Sequence, residues 1–160
     1  VIIVTTQPIH RILVATDGSE AAREAVERGV DLASSQGAEV IFLRVAPPTV
    51  WRYSRMAPAS AIPRKLPAPE LDEALREAAA RATEAGVEAK LALISGNAAR
   101  EIVSVADILD VDLVVVGKSG RNPLREHVGT AVTRRTTRPV LVARARQARK
   151  PSRPLLRKAA

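Results

Sequence analysis

Leu113, Val114, Val115 and Val116 follow one another with no polar residue between them, and the run ends on Gly117. A strand with one face in water alternates apolar and polar side chains. An unbroken, β-branched run of this length fits a strand covered on both faces, as in a parallel sheet flanked by helices. The residues after this run narrow the choice further. Gly117 and Gly120 are interspersed with Lys118, Arg121 and Arg125, and Gly129-Thr130 opens a short polar segment with helical character. Strand, glycine-rich turn, cations and helix start make an arrangement that cradles phosphate. Glycines let the backbone come close, and unpaired N–H groups at a helix N-terminus favour negative charge. A tight loop is the plainer reading of the same glycines.

The rest of the chain alternates in kind. Arg11–Thr16 reads as a second strand buried on both faces, and Asp17-Gly18-Ser19-Glu20 as a turn into a helix with Ser19 as N-cap. Ala22, Ala25, Val26, Gly29, Val30 and Ala33 share one helical face, and Gly37 stops the helix. Ala38–Ala46 is a strand. Residues 47–69 hold six prolines with Trp51, Tyr53 and Met56, and form either a functional lid or partner surface or a disordered loop. Glu70–Ala85 is helical, acidic at its start and stopped by Gly86. Val87–Ile94 alternates as a strand, Ser95-Gly96-Asn97 turns the chain, and Ala98–Leu109 is a helix with Ile102, Val105, Ala106 and Leu109 on one face. Arg138–Ala143 closes the domain as an edge strand, with Pro139 near its start. The order β-α-β-loop-α-β-α-β-α-β predicts an α/β fold: an open parallel sheet with helices on both faces.

The 160 residues suffice for one domain, and aromatics are almost absent, so the core is built from Val, Leu, Ile and Ala. The formal net charge is +8, and seven cations with no acid lie after Val142. Residues 145–160 read as a basic tail, solvated or in contact with an acidic partner such as lipid or nucleic acid. Residues 1–10 read as an extension of the 11–144 domain. There is no cysteine, which excludes disulfides and thiolate metal sites and fits a cytoplasmic location. No apolar run approaches the ~18 residues of a membrane span. The chain starts on Val1, consistent with processing, an unusual start or a longer parent.

Gly117-Lys118-Ser119 is not the end of a Walker A motif, because the earlier glycine that motif requires is Asp112 here. No G-x-G-x-x-G comes after a strand. Ligands of open parallel sheets bind beyond the carboxyl ends of strands, where the strand order reverses. With the first and fourth strands as neighbours, Asp17 and Gly117 face each other across that crevice. Asp17 then either accepts hydrogen bonds from ribose hydroxyls or serves only its own turn. His10 and His127, the only histidines, read as surface residues, and no catalytic triad or carboxylate pair can be assembled.

Three segments together resemble the universal stress protein family over Arg11–Arg144: Ile12–Ser19, Val111–Gly117 and Arg138–Val142. The resemblance implies a five-stranded sheet in the order 3-2-1-4-5, of the adenine nucleotide alpha hydrolase-like type. It implies ATP binding through Gly117 and Gly120, then Gly129 and Thr130, with Lys118 and Arg121 in the same loop. It also implies Asp17 at the ribose, the Val45 backbone at adenine, and Ala15 and Thr16 lining the pocket. Pairing of two copies through Val140, Leu141 and Val142 is implied as well. The spacing departs from the family pattern. Eight residues, not nine, separate Gly120 from Gly129, and 131–138 is about three residues short, so the combined deficit is close to one helical turn. The position of Gly129 and Thr130 against the phosphates, and ATP binding with it, turns on that missing residue.

The expectation is therefore a cytoplasmic regulatory domain that binds ATP, with or without Mg2+, or a related adenine nucleotide between the first and fourth strands. No side chain stands out as a general base, so the expected role is not enzymatic beyond slow ATP hydrolysis. The rival expectation is a regulatory or interaction domain that binds no nucleotide, belonging to or docked on a membrane transporter. A weaker third is a nucleic-acid-binding protein acting through the tail.

Overall fold

The computed structural model describes residues 8–47, 68–118 and 127–144. Five strands form one parallel sheet: β1 Arg11–Ala15, β2 Glu39–Ala46, β3 Ala89–Ser95, β4 Leu113–Gly117 and β5 Val140–Ala143. Their order is β3-β2-β1-β4-β5, the order the resemblance implied. β1 is the central strand, in register with β2 from Arg11↔Glu39 to Ala15↔Leu43 and with β4 from Ile12↔Leu113 to Val14↔Val115. Among the described residues four α-helices cover the sheet: α1 Glu20–Gln36, α2 Glu73–Glu84, α3 Ala98–Ile108 and α4 Val128–Arg135.

The unbroken apolar runs are explained by two cores. Ile12, Val14 and Val115 face the layer containing Val26 and Val30 of α1 and Leu75, Ala78 and Ala82 of α2. Leu13, Val114 and Val116 face the opposite layer, with Ala99, Ile102 and Ala106 of α3 and Ala131 and Val132 of α4. Successive residues of a strand point to opposite faces, so a strand feeding two cores can carry no polar position. Gly29 brings α1 close to β1: a Cβ there would lie 2.5 Å from Val14 Cγ2.

Helix ends obey the sequence signals with one exception. Ser19 Oγ accepts the Ala22 N–H, and Gly37, at φ 66°, closes α1. Helix α2 starts three residues later than the acidic stretch suggested. Pro69–Leu71 form a separate 3-10 turn, and Asp72 caps α2 by accepting the Leu75 N–H at 3.1 Å. Charge near Glu70 thus marked a turn before the helix rather than its first turn. β3 starts at Ala89 rather than Val87, because the Val87 N–H is spent on the Ala82 carbonyl in closing α2. β5 starts at Val140, after Pro139, which has no N–H to give the sheet.

Charged groups tie the amino ends of the strands. Arg11 donates to Glu39 and to the Leu109 carbonyl, and Lys90 Nζ reaches Glu39 Oε2 at 2.7 Å. The Lys90 and Arg11 hydrogen bonds hold the Glu39 carboxyl below its ordinary range. Asp112 Oδ2 accepts the main-chain N–H groups of His10 and Arg11 at 2.8 and 2.9 Å. This leaves the opposite, carboxyl edge of the sheet for a site. Among the described residues no helix is long and apolar enough to cross a membrane. Most of the expected N-terminal extension, nearly all of the Pro-rich loop and the basic tail lie outside the described residues.

Candidate functional site

Where β1 ends, Thr16 donates its N–H to the Leu43 carbonyl at 2.9 Å, the last link to β2. The chain then turns sharply. Gly18 takes φ 77°, and Asp17 Oδ1 accepts the Ser19 N–H at 3.0 Å. Asp17 is therefore the turn aspartate that the plainer reading expected, and it also borders the crevice. Its second oxygen has no partner among the described residues. Thr16 is buried, with its hydroxyl accepting the Gly18 N–H at 3.4 Å.

On the other side of the crevice β4 ends at Gly117. A Cβ at this position would lie 2.5 Å from the carbonyl carbon and oxygen of Ala21 and 2.8 Å from the Ala22 nitrogen. Only glycine lets β4 meet the first turn of α1 so closely. This reason for Gly117 holds without any ligand.

Between these two strand ends opens a cleft of about 520 Å3, counting its open mouth. Ala15, Leu43, Val45, Ile102, Val116 and Val128 supply apolar walls, and Thr16, Asp17 and Ser19 the polar rim. An apolar body with a few polar groups at its rim is the usual character of small-molecule sites. The cleft also gives the Val45 backbone a distinct status. Alternate residues of a parallel strand direct N–H and C=O to the same neighbour. Leu43 uses that side for Thr16, so Val45, two residues on, points to the same side. There β1 has already ended, because its pairing stops at Ala15↔Leu43. The N–H and C=O of Val45 thus face the cleft, where no strand pairs with them.

A second depression adjoins the first. Lys118, His127, Gly129, Thr130, Val142 and Arg144 line about 530 Å3, open mouth included. It sits at the start of α4, where the first intrahelical donor is Ala131, bonded to the His127 carbonyl at 3.0 Å. The N–H groups of Val128, Gly129 and Thr130 precede it and are not spent within the helix. Gly129 is buried against the sheet, and a Cβ on it would come within 3.2 Å of Val116 Cγ2.

Of the residues expected from sequence, Ala15, Thr16, Asp17, Val45 and Gly117 line the cleft. Lys118, Gly129 and Thr130 line the neighbouring depression. Gly120 and Arg121 lie outside the described residues. Sequence reasoning missed Ala98, Ile102 and Val128 in the cleft and Arg144 in the depression. The signal for α3 was present: Asn97 comes just after the carboxyl end of β3 and caps the helix, accepting the Arg100 N–H at 3.1 Å. His127, read as a surface residue, is half-buried at the start of α4, while His10 is exposed. Among the described residues no three His, Asp or Glu side chains are grouped to hold a metal ion.

Comparison with known proteins agrees with this architecture. A family model described as "Universal stress protein family" matches residues 8–144. The chain belongs to that family. It is 32% identical over 146 residues to the universal stress protein YxiE of Bacillus subtilis, covering 84% of this chain and 99% of that one. A universal stress protein solved in complex with cAMP is 25% identical, with a TM-score of 0.67 over 88% of this chain and 100% of the other. A universal stress protein from Archaeoglobus fulgidus in complex with dAMP shares the fold at 21% identity, with a TM-score of 0.61 over 86% of this chain and 99% of that one.

Proposed function

We propose that this universal stress protein domain is a regulatory module that binds an adenine nucleotide, with the adenosine in the cleft and the phosphates directed toward the start of α4. The observation that carries the reading is the Val45 backbone. It offers one donor and one acceptor side by side in an apolar cleft, the pair of contacts an adenine edge requires. The free oxygen of Asp17 is available to ribose hydroxyls at the rim. Lys118 and the N–H groups of Gly129 and Thr130 supply the phosphate environment next door. The 25%-identical relative solved with cAMP is consistent with a ligand of this class. Mg2+, where it accompanies a triphosphate, is held in this reading by phosphate oxygens and water rather than by a protein cage. Asp17 is the sole ionisable side chain among the described residues lining the cleft.

Calorimetry with adenosine, AMP and ATP tests the proposal and measures the cost of the shortened 121–128 loop. Affinity that climbs along the series means that the phosphate environment is intact. A flat series means adenosine recognition alone. No heat with any of the three at millimolar ligand would refute nucleotide binding and leave the interaction-domain reading. One observation favours that second reading: Gly117 and Gly129 both have packing reasons to be glycine.

A further inference from the structure

We propose that the groove between α1 and α2 is a second small-molecule site, separate from the cleft, for a neutral ligand with an apolar body and one hydrogen-bond acceptor. The groove takes in about 440 Å3, open mouth included. Where α2 lines it beside Val26 of α1, its uncharged side chains are only the methyls of Ala74 and Ala78, which leaves the gap unfilled. Small side chains alone would mark no more than loose packing, but Thr16 points to a ligand. Ile12 and Val14 face the layer of α1 and α2, so Thr16, two residues further on, turns its side chain to that same face. It is 5% exposed. Its N–H is spent on the Leu43 carbonyl at 2.9 Å, which fixes the residue at the end of β1. Its hydroxyl accepts the Gly18 N–H over a long 3.4 Å, and among the described residues nothing accepts its proton. A buried donor left unpaired is costly, and an acceptor on a ligand in the groove removes that cost.

The rim sets the charge of the ligand. Arg23 Nε meets Glu77 Oε2 at 3.1 Å, and Arg81 Nε meets Glu27 Oε2 at 2.8 Å. Positions 23 and 27 are one turn apart on α1, as are 77 and 81 on α2, so the two pairs cross the groove at successive turns. These two cations and two acids are the charged residues of the lining, and each is already paired. The rim thus has no charge to offer a metal ion, a phosphate or a free carboxylate. What fits is a small carbonyl or ether compound, with its oxygen on the Thr16 hydroxyl and its carbons against Val26, Ala74 and Ala78. Both partners of the Arg23–Glu77 pair are exposed, so parting them to admit a ligand costs little. Thr16 borders the cleft as well as the groove. The domain therefore holds two sites back to back across the end of β1, one on each face of the sheet.

The test is an NMR titration of the full chain with cyclopentanone and with methylenecyclopentane, which has the same shape but a CH2 group in place of the ketone oxygen. Cyclopentanone should shift the methyl signals of Thr16, Val26, Ala74 and Ala78 and saturate in the millimolar range, as suits so small a molecule. Thr16→Val keeps the shape of the side chain and removes the donor. It should lower the preference for the ketone over the hydrocarbon by about two- to tenfold. The hydration of the two probes cancels in that comparison. Ala74→Leu fills the groove with a good helix former at a residue outside the cleft. It should abolish the shifts at Thr16, Val26 and Ala78 and leave adenosine and ATP binding as in the wild type. Retained shifts in Ala74→Leu, or an unchanged ketone preference in Thr16→Val, overturn the inference. So do shifts confined to Ala15, Val45, Ile102 and Val128, which put the probe in the cleft, and so does the absence of saturable shifts. None of these outcomes touches the adenosine reading, which calorimetry tests separately.

Discussion

A side chain at position 117 would collide with main-chain atoms of Ala21 and Ala22, which cannot swing aside as a flexible side chain can. Gly117→Ala is therefore expected to lose about 1–3 kcal/mol in urea denaturation of the unliganded protein. A loss below about 0.5 kcal/mol would mean that the first turn of α1 yields easily. Any binding defect of this variant then reports packing as well as ligand contact. Asp17→Ala is the cleaner probe of recognition, because Asp17 is exposed and spends only one oxygen on its turn. Losing one or two hydrogen bonds to a carboxylate weakens adenosine and ATP alike, by about ten- to a few-hundred-fold. An unchanged adenosine affinity would remove Asp17 from the site. Asp17 and Gly117 were legible because each lies at the end of an unmistakable buried strand. Val45 was not legible from its own chemistry. Its proposed contribution is main-chain, set by where β1 stops pairing with β2, and only the family resemblance pointed to it. Arg144 was hidden by its surroundings in sequence, where it heads a run of cations, although in space it directly follows β5.

Among the elements, β5 borders the sheet with one side paired to β4, and Leu141 and Val142 remain 38% and 37% exposed. An apolar strand edge with free main-chain groups is open to pairing with a second copy, and that is the proposed dimer contact. Leu141→Lys should shift sedimentation toward monomer without lowering cooperativity of unfolding. A wild-type monomer at high micromolar concentration would refute the contact. The amino ends of β1, β2 and β3 are joined instead by Arg11, Glu39 and Lys90. Glu39 titrates below its ordinary range when folded, so its contribution is present above about pH 4.5 and is lost as pH falls through the lowered folded value. Arg11 and Lys90 side chains are 40% and 59% exposed, which keeps the contribution small. Glu39→Gln should cost at most about 1 kcal/mol at pH 7 and nothing in strong acid. A difference that persists at acid pH would mean that packing, not charge, is being measured. At this scale the sequence was most readable where a strand serves two cores. It was least readable at α2, where Glu70 and Glu73 stand in successive turns and composition alone cannot separate them.

Across the described residues, the two cores lie on opposite faces of the sheet, one holding α1 and α2 and the other α3 and α4. The cleft lies at the edge they share. Ser19 and Ala22 border it from the start of α1, Ala98 and Ile102 from the start of α3, and Val128 from the start of α4. A ligand seated there touches both layers at once, so its binding free energy opposes the opening of either layer. Ligand that binds only the native state adds about 2.7 kcal/mol at a hundred times its dissociation constant. Hydrogen exchange with and without ATP should therefore show slowing at the starts of α1, α3 and α4 together. The Arg11, Glu39 and Lys90 end of the sheet should change only as far as global unfolding is suppressed. Protection confined to α4 would mean that the anion sits in the cationic depression without adenosine in the cleft. Protection at α1 and α3 without α4 would mean that the shortened loop has cost the domain its hold on the phosphates.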